Sequence, residues 1–294
     1  MFIATLIAAN GLEAGQISEA MDRLASAGCS PVESGWLDEG IAADLLFGLD
    51  PAAARTALEG AFTATDIAVQ SHFTRPKSLL IADMDSTMIT VECIDELADY
   101  AGIKPQISAV TEAAMRGELD FAEALDARVA LLKGLDEAVI ERCLAERVKL
   151  MAGAVTLVQT MRARGAQTIL VSGGFTRFAD PVAAKIGFER AIANRLNIVD
   201  AKLDGTVAKP IVDSATKEAT LLAAIDAAPM PREATLAVGD GANDLPMIRR
   251  AGLGVAYHAK PIVAAAADVR IDHNDLTALL YAQGIARKDW VSPE

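Results

Sequence analysis

Short apolar runs recur along the second part of the chain, and each one ends in acidic, hydroxyl or glycine residues. The first run, residues 79–82, is followed by the acidic segment 83–87. Later runs alternate with segments of helical periodicity and lie at 167–171, 235–238, 254–257 and 268–271. Strands that alternate with helices predict a parallel sheet with helices on both faces. Ligands bind beyond the carboxyl ends of such strands, so chemistry is expected directly after each run.

Between the first two runs the pattern is helical only. From about residue 90 to residue 150, apolar side chains recur at three- or four-residue spacing, as in Leu125, Val129 and Leu132. Consecutive helices without an intervening strand predict a helical cap inserted into the α/β unit.

The first seventy residues have a different organisation. They predict strands at 2–8, 32–37, 42–47 and 66–70 and helices at 15–27 and 52–62. The order strand–helix–strand–strand–helix–strand is that of a small ferredoxin-like α+β domain. A polar, basic, proline-bearing stretch at 71–77 predicts a linker. We therefore expect two units, residues 1–73 and residues 78–294.

Composition limits the class of protein. The chain has 294 residues and a formal net charge of −13, which disfavours nucleic acid or a membrane surface as a partner. No stretch approaches the ~18 apolar residues of a membrane span, and no basic region precedes the apolar start. Cys29, Cys93 and Cys143 lack the spacing of a disulfide framework or a zinc site. These features predict a cytoplasmic protein with reduced thiols.

Four polar segments are expected at one edge of the sheet: Asp83-Met84-Asp85-Ser86-Thr87, Ser172-Gly173-Gly174, Lys217, and Gly239-Asp240-Gly241-Ala242-Asn243-Asp244. Each alone is typical of a turn, a helix cap or a solvated helix charge. Their combination favours a catalytic site, because independent turns need not place acids, a hydroxyl, a lysine and further acids in this order.

Other sites built from acids or glycines are excluded. A calcium-binding helix–loop–helix starting at Asp83 would need glycine and glutamate where Met88 and Ile94 stand. The chain has no G-x-x-x-x-G-K-[ST] phosphate loop, and Tyr257 stands where the third glycine of a dinucleotide fingerprint would follow Gly252.

The combined pattern resembles that of the haloacid dehalogenase-like phosphatases, whose signature is D-x-D-x-T, a hydroxyl after the next strand, a lysine and G-D-x-x-x-D. A narrower resemblance, to the members that act on phosphoserine, covers about residues 78–281, including the cap. It is carried by further segments, namely Glu92 with Ile94-Asp95-Glu96-Leu97, Met115, Phe121, Arg128 to Lys133, Val171 to Phe175, and Ala193 to Leu196. The fold it implies is a Rossmann-like parallel sheet with an inserted helical cap. The first seventy residues resemble an amino-acid-binding (ACT-like) module.

The resemblance implies Mg²⁺-dependent hydrolysis of O-phospho-L-serine to serine and phosphate, the last step of serine biosynthesis. Asp83 would be the nucleophile, because a carboxylate is anionic at neutral pH without a base, and it would form an aspartyl-phosphate. Asp85 would act as general acid and then as general base. Asp83, the backbone carbonyl of Asp85, and Asp240 would be the Mg²⁺ ligands.

The resemblance also implies how the substrate is bound. Ser172, the Gly173 amide and Lys217 would contact the phosphoryl oxygens, Asn243 would orient them, and Asp244 would hold Lys217. In the cap, Glu92 would bind the ammonium group and Arg128 the carboxylate of the phosphoamino acid, with Met115 and Phe121 nearby.

Alternatives remain open at this stage. The same chemistry could serve another small phosphomonoester, such as phosphothreonine or a sugar phosphate. The N-terminal module could make the chain an amino-acid sensor whose phosphatase activity is secondary. The sequence leaves open whether the protein is a homodimer.

Overall fold

The N-terminal unit is an antiparallel sheet with two helices on one face. The computed structural model describes residues 1–115 and 118–292 of the chain. The four strands are β1 (Phe2–Ala8), β2 (Pro31–Asp38), β3 (Ala42–Phe47) and β4 (Thr65–Ser71). The helices are α1 (Ala14–Ser26) and α2 (Pro51–Leu58). The sheet order β2-β3-β1-β4 agrees with the ferredoxin-like arrangement expected from the sequence.

Helix α2 is shorter than its sequence pattern predicts. It begins where Asp50 accepts a hydrogen bond from the Ala53 amide (2.9 Å), with Pro51 in the first turn. The predicted helix continues to residue 62, but α2 ends at Leu58. Gly60 has a φ of +74°, a left-handed conformation that terminates helices and that glycine adopts at little cost.

The second unit is built on a six-stranded sheet of order β12-β11-β10-β5-β6-β7. Its strands are β5 (Leu79–Ala82), β6 (Gln167–Phe175), β7 (Arg190–Asn194), β10 (Thr235–Gly239), β11 (Leu253–Tyr257) and β12 (Val269–Ile271). Every neighbouring pair is parallel, as predicted. The central strand β5 is completely buried because both its faces and both its edges are covered. The loop after β5 therefore emerges in the middle of the sheet edge.

Helices cover both faces of this sheet, and others form the cap. The first group comprises α7 (Ala154–Ala163), α8 (Thr176–Ile186), α9 (Ser214–Ala227), α10 (Leu245–Arg250), α11 (Pro261–Ala264) and α12 (Ala278–Ala282). The cap helices are α3 (Cys93–Tyr100), α4 (Lys104–Met115), α5 (Phe121–Leu131) and α6 (Ala138–Glu146). They replace any strand between β5 and β6 along the described chain, as the sequence pattern predicts.

A hairpin and an edge strand were not expected from the sequence. Strands β8 (Leu196–Val199) and β9 (Lys202–Val207) form a two-stranded hairpin, and β7 lies at the edge of the six-stranded sheet. Gly205 of β9 packs against the end of cap helix α5, since a Cβ there would lie 3.5 Å from Cα of Ala130 and 2.9 Å from Cβ of Lys133, just beyond the helix. The hairpin therefore joins the sheet unit to the cap.

Two basic side chains of the segment between the two units are buried, although neighbours such as Phe73 are exposed. Arg75 and Lys77 are 7% and 8% exposed. Arg75 donates to both carboxylate oxygens of Asp44 (2.7 Å each) and to the carbonyls of Tyr281 (2.8 Å) and Ala282 (3.0 Å). A guanidinium can satisfy several acceptors at once, so one buried cation ties the N-terminal sheet to α12.

The three cysteines are free and buried, in agreement with the sequence analysis. Among the described residues, no helix combines the length and the apolar character needed to cross a bilayer.

Candidate active site

A buried lysine is the centre of the site. Lys217 lies in the first turn of α9, which begins where Asp213 accepts a hydrogen bond from the Thr216 amide (2.8 Å). Its Nζ lies 2.5 Å from Oδ1 of Asp83 and 2.7 Å from Oδ1 of Asp244. The structure thus brings together three side chains that come from separate segments of the sequence, and it includes the expected contact between Lys217 and Asp244.

The charges of this group depend on one another. Burial alone would lower the pKa of Lys217, but Asp83 and Asp244 more than offset it, and its pKa is raised. Burial and the carboxylate of Asp244 raise the pKa of Asp83, against the opposing effect of Lys217. Two buried acids thus share one buried cation, and a further cation would relieve the repulsion between them.

Asp85 has the character expected of a proton donor and acceptor. Burial, followed by the charge of Glu92, raises its pKa to about 7, although the thiol and amide of Cys93 act in the opposite direction. Among the described residues, its Oδ1 is buried without a hydrogen-bond partner. A carboxyl group with a pKa near neutrality is suited to general acid–base catalysis.

The acids after β5 and β10 form a potential metal site. Carboxylate oxygens of Asp83, Asp240 and Asp244 lie within 4.8 Å of one another. Asp244 is already engaged through both oxygens, since Lys217 contacts Oδ1 and the Gly241 amide donates to Oδ2 (3.1 Å). Asp83 and Asp240 are therefore better placed to ligate. Hard oxygen donors of this kind fit Mg²⁺.

Thr87 supports Asp240. Its hydroxyl donates to Oδ1 of Asp240 at 3.3 Å and is completely buried. Burial, then Asp244 and Glu92, raise the pKa of Asp240 to about 6, and the Thr87 hydrogen bond and Lys260 oppose this rise. The side chain of Thr87 had no role in the sequence analysis beyond its place in the signature.

The segment after the middle of β6 presents backbone groups to the same edge. Ser172 is buried, and its Oγ accepts a hydrogen bond from the Gly174 amide (2.8 Å), which leaves the hydroxyl hydrogen available to another acceptor. A Cβ on Gly174 would lie 3.0 Å from Oγ of Ser172 and 3.2 Å from Oδ2 of Asp85. Glycine is therefore needed for the close approach of Ser172 and Asp85.

Asn194 holds this segment in place, and sequence reasoning assigned it no role. Its Nδ2 donates to the carbonyls of Gly173 (2.9 Å) and Val212 (3.2 Å), and its Oδ1 accepts from the Val212 amide (2.7 Å). One buried side chain thus links the Gly173 peptide to the loop that leads into α9 and Lys217. Its place in the segment Ala193 to Leu196, which carries part of the family resemblance, was the available signal.

Asn243 lies in the short turn after β10 and is half-buried. Its Oδ1 lies so close to the backbone of Gly241 that a Cβ on that glycine would lie 2.4 Å from it. The glycine between Asp240 and Asn243 is required by this contact.

The cap residues lie around the opening of the site. Glu92 is exposed immediately before α3, and its charge acts on both Asp85 and Asp240. Arg128 of α5 is half-buried; burial lowers its pKa, while Asp95 and Glu92 raise it. Glu92 and Arg128 therefore face a common region, although no direct ion pair joins them among the described residues.

Phe121, the first residue of α5, packs against the backbone at Gly173. A Cβ on Gly173 would lie 3.0 Å from Cζ of this ring. The helix starts here because Asp120 and Glu123 exchange hydrogen bonds between side chain and backbone (2.8 and 2.9 Å). The side chain of Met115, the other expected cap residue, lies outside the described part of the structure.

Comparison with known proteins identifies the family. The model of the haloacid dehalogenase-like hydrolases matches residues 80–249. A phosphoserine phosphatase from Streptomyces coelicolor is 45% identical over 246 residues, covering 82% of this chain and 60% of that protein. One from Idiomarina loihiensis is 44% identical, covering 69% of this chain and 91% of its own length. The chain spans about 60% of the length of the first curated relatives that it matches.

Solved structures give the same result. A haloacid dehalogenase-family hydrolase from Salmonella enterica serovar Typhi superposes with a TM-score of 0.84 at 28% identity, covering 98% of this chain and 99% of the other. A phospho-aspartyl intermediate analogue of phosphoserine phosphatase has a TM-score of 0.65 at 37% identity, covering 70% of this chain and 98% of the other. Since the family match extends over more than half of the sequence and includes the sheet edge where Asp83, Lys217 and Asp240 meet, the chain belongs to the haloacid dehalogenase-like hydrolases.

Proposed function

We propose that this protein hydrolyses O-phospho-L-serine to L-serine and phosphate. The observation that carries the proposal is the placement of Asp83 against Lys217 with a second carboxyl group, Asp85, whose pKa is about 7. Lys217 supplies the Asp83 carboxyl group with a counter-charge at 2.5 Å, and Asp85 can carry a proton at neutral pH. The named relatives and the solved intermediate analogue support the same chemistry.

In the first step, a carboxylate oxygen of Asp83 attacks phosphorus and the bond from phosphorus to the serine oxygen breaks. Asp85 gives its proton to the departing oxygen, so serine leaves neutral at that atom and phospho-Asp83 remains. In the second step, Asp85 takes a proton from water, which attacks the phosphoryl group. Phosphate leaves, Asp83 is regenerated, and Asp85 is protonated again.

Charge at the phosphoryl group requires compensation. Lys217 neutralises part of it, and Ser172 and the Gly173 amide are available to donate to its oxygens. Asp83, Asp240 and the backbone carbonyl of Asp85 would hold Mg²⁺, which supplies further positive charge to the phosphoryl oxygens.

Recognition of the amino acid falls to the cap. Glu92 would accept a hydrogen bond from the substrate ammonium group, and Arg128 would bind the carboxylate. Glu92 lies close to Asp85, where the serine part of the substrate must be when its oxygen receives the proton, and the charge of Glu92 also acts on Arg128. We place the reaction at the last step of serine biosynthesis in the cytoplasm, with homodimerisation left open.

The decisive experiment is phosphate release from phosphoserine, phosphothreonine and a sugar phosphate, with and without Mg²⁺. We expect phosphoserine to be the preferred substrate and activity to require the metal. The variant Asp83→Asn should lose turnover and phosphate incorporation into the protein. The exposed Asp226→Asn on α9 serves as the control for an equivalent loss of charge. Turnover by the Asp83→Asn variant at the wild-type rate would exclude the mechanism.

One observation favours a second role for the N-terminal unit. A cavity of about 680 Å³ lies between it and the sheet unit, lined in part by Ala9, Gly11, His273 and Arg287. The lining holds a cation, Arg287, and an anion, Asp275, which would suit a small zwitterion such as an amino acid. Calorimetric titration of the full chain with serine and related amino acids tests this role. The variant Arg287→Ala should abolish any heat that arises at this cavity rather than at the active site.

A further inference from the structure

Ser86 occupies an unusual backbone conformation at the mouth of the site. Its φ is +57°, in the left-handed region that residues other than glycine rarely adopt. The conformation is maintained by the chain that follows, because the amides of Met88 (2.8 Å) and Ile89 (3.0 Å) both donate to the carbonyl of Met84. A strained residue held by its surroundings is often found where a side chain must point in a particular direction.

The side chain of Ser86 points towards Glu92. The Ser86 hydroxyl donates to Oε1 of Glu92 at 2.7 Å. Glu92 occupies the position that caps α3, yet its side chain makes no capping hydrogen bond to that helix. The carboxylate is therefore turned away from its own helix and held by Ser86 instead.

This hydrogen bond has a consequence for an exposed, flexible side chain. A free glutamate samples many rotamers, and ordering it on binding costs free energy that reduces affinity. With Oε1 occupied by Ser86, the carboxylate is oriented before substrate arrives and Oε2 remains available. The ionised carboxylate can only accept hydrogen bonds, so its natural ligand is a donor such as an ammonium group.

We infer that Ser86 is a positioning residue that orients Glu92 for the ammonium group of the substrate and so favours phosphoamino acids over phosphomonoesters without an amine. The inference rests on the proposed function, because it assumes that Glu92 meets an ammonium group. Ser86 does not touch the reacting atoms; it acts through Glu92.

The test compares phosphoserine with 3-phospho-L-glycerate, in which a hydroxyl group replaces the ammonium group on the same carbon. For the purified full chain with Mg²⁺, the KM of phosphoserine and the inhibition constant of the glycerate are measured for wild type and Ser86→Ala. We expect the ratio of inhibition constant to KM to fall about tenfold, the size expected for losing one hydrogen bond to a charged group. An unchanged ratio would overturn the inference.

Two further variants separate the effect of the Ser86 hydroxyl on this ratio from the effect of the strained backbone. Ser86→Gly relieves the left-handed strain and also removes the hydroxyl, so it should reduce the ratio as much as Ser86→Ala does. A wild-type ratio in Ser86→Gly would assign the effect to the backbone and overturn the inference. In a Glu92→Ala background, Ser86→Ala should have no additional effect on the ratio, since the two residues act as one unit. A full additional effect there would likewise contradict it.

Failure of this inference can be distinguished from failure of the proposed function. If wild type does not hydrolyse phosphoserine, the proposed function fails before any variant is made. If it does, only the ratio in the Ser86 variants decides the role of Ser86.

Discussion

At the scale of single residues, the site depends on where protons reside. Asp83 and Asp85 are two positions apart in the sequence, the first buried and the second half-buried, and only Asp83 contacts Lys217 directly. Asp85 instead lies close to Glu92, which raises its pKa further after burial has done so. Two carboxyl groups in one loop thus acquire different neighbours, a cation in direct contact for Asp83 and a nearby carboxylate for Asp85, which suits a nucleophile and a proton donor.

A pH dependence of stability follows from Asp85. Its pKa is about 7 in the folded protein, against ~3.9 in the unfolded chain, so the folded state holds a proton that the unfolded state has lost. This contribution to stability is complete below the unfolded pKa and disappears as pH rises to about 7. We expect the free energy of unfolding of wild type, relative to Asp85→Asn, to fall by on the order of 2 kcal/mol between pH 5 and pH 8.

The measurement is urea unfolding of both proteins in the presence of a chelator. Groups that titrate in both proteins, such as Asp240, largely cancel in the difference. A difference in unfolding free energy that is the same at both pH values would contradict the raised pKa.

At the scale of elements, the sequence predicts most accurately the strands and helices that have strong apolar periodicity. The six-residue strand β3 and the seven-residue strand β1 have the bounds predicted for them. The elements that were missed are the edge strand β7 and the hairpin of β8 and β9, which are half-exposed and short. A half-exposed strand has no continuous apolar run, because part of its surface faces solvent, so local composition does not reveal it.

The effect of replacing a glycine depends on how closely neighbouring atoms pack against it. In β11, a Cβ on Gly254 would lie 2.2 Å from the backbone carbonyl of Ile248, because α10 packs directly on this strand. On α1, Gly15 is exposed with no atom near the place of a Cβ. We expect Gly254→Ala to destabilise the protein by about 3 kcal/mol or more, and Gly15→Ala to stabilise it by up to ~1 kcal/mol.

Chemical denaturation of the two variants provides the check, and each serves as the control for the other. Equal effects of the same sign would show that close approach at β11 does not limit the packing of α10.

At the scale of the whole molecule, the two units are joined by buried polar contacts. Besides Arg75, the carboxylate of Asp66 accepts hydrogen bonds from the amides of Asp272 (2.9 Å) and Asn274 (3.0 Å), across the boundary between the units. The Tyr281 hydroxyl donates to Asp38 at 2.5 Å. Since these groups are satisfied only when the units are in contact, docking and folding of the N-terminal unit are coupled.

Arg75→Met should uncouple the two units. It would leave Asp44 without its cation and remove one donor each from the carbonyls of Tyr281 and Ala282, at a cost of about 3–5 kcal/mol. We expect calorimetry to show one unfolding transition for wild type and an earlier, separate transition for the N-terminal unit in the variant. The control is Arg23→Met, which removes an exposed ion pair with Glu19 and should cost less than ~1 kcal/mol. A single unshifted transition in Arg75→Met would contradict the coupling.

The net charge of −13 limits which large partners the protein can bind, but it does not prevent binding of a small anion. It disfavours polyanionic partners, but charges farther away than ~8 Å are largely screened at physiological salt, so local charge decides whether a phosphate binds. Several of the acids in that total, including Asp83 and Asp240, belong to the proposed catalytic centre itself.

The sequence by itself determined the alternation of strands and helices, the insertion of the cap, and the residue types at each strand end. These features depend on short-range periodicity and turn chemistry, which a single chain carries locally. The tertiary structure alone decided which charges meet. Lys217 lies 134 positions from Asp83 in the chain, and nothing local indicates their contact. The burial of Arg75 and the turning of Glu92 towards Ser86 likewise depend on neighbours that only the folded chain supplies. Burial and neighbouring charges set pKa values and orientations, so the chemistry of the site arises from the fold although its residues can be recognised without it.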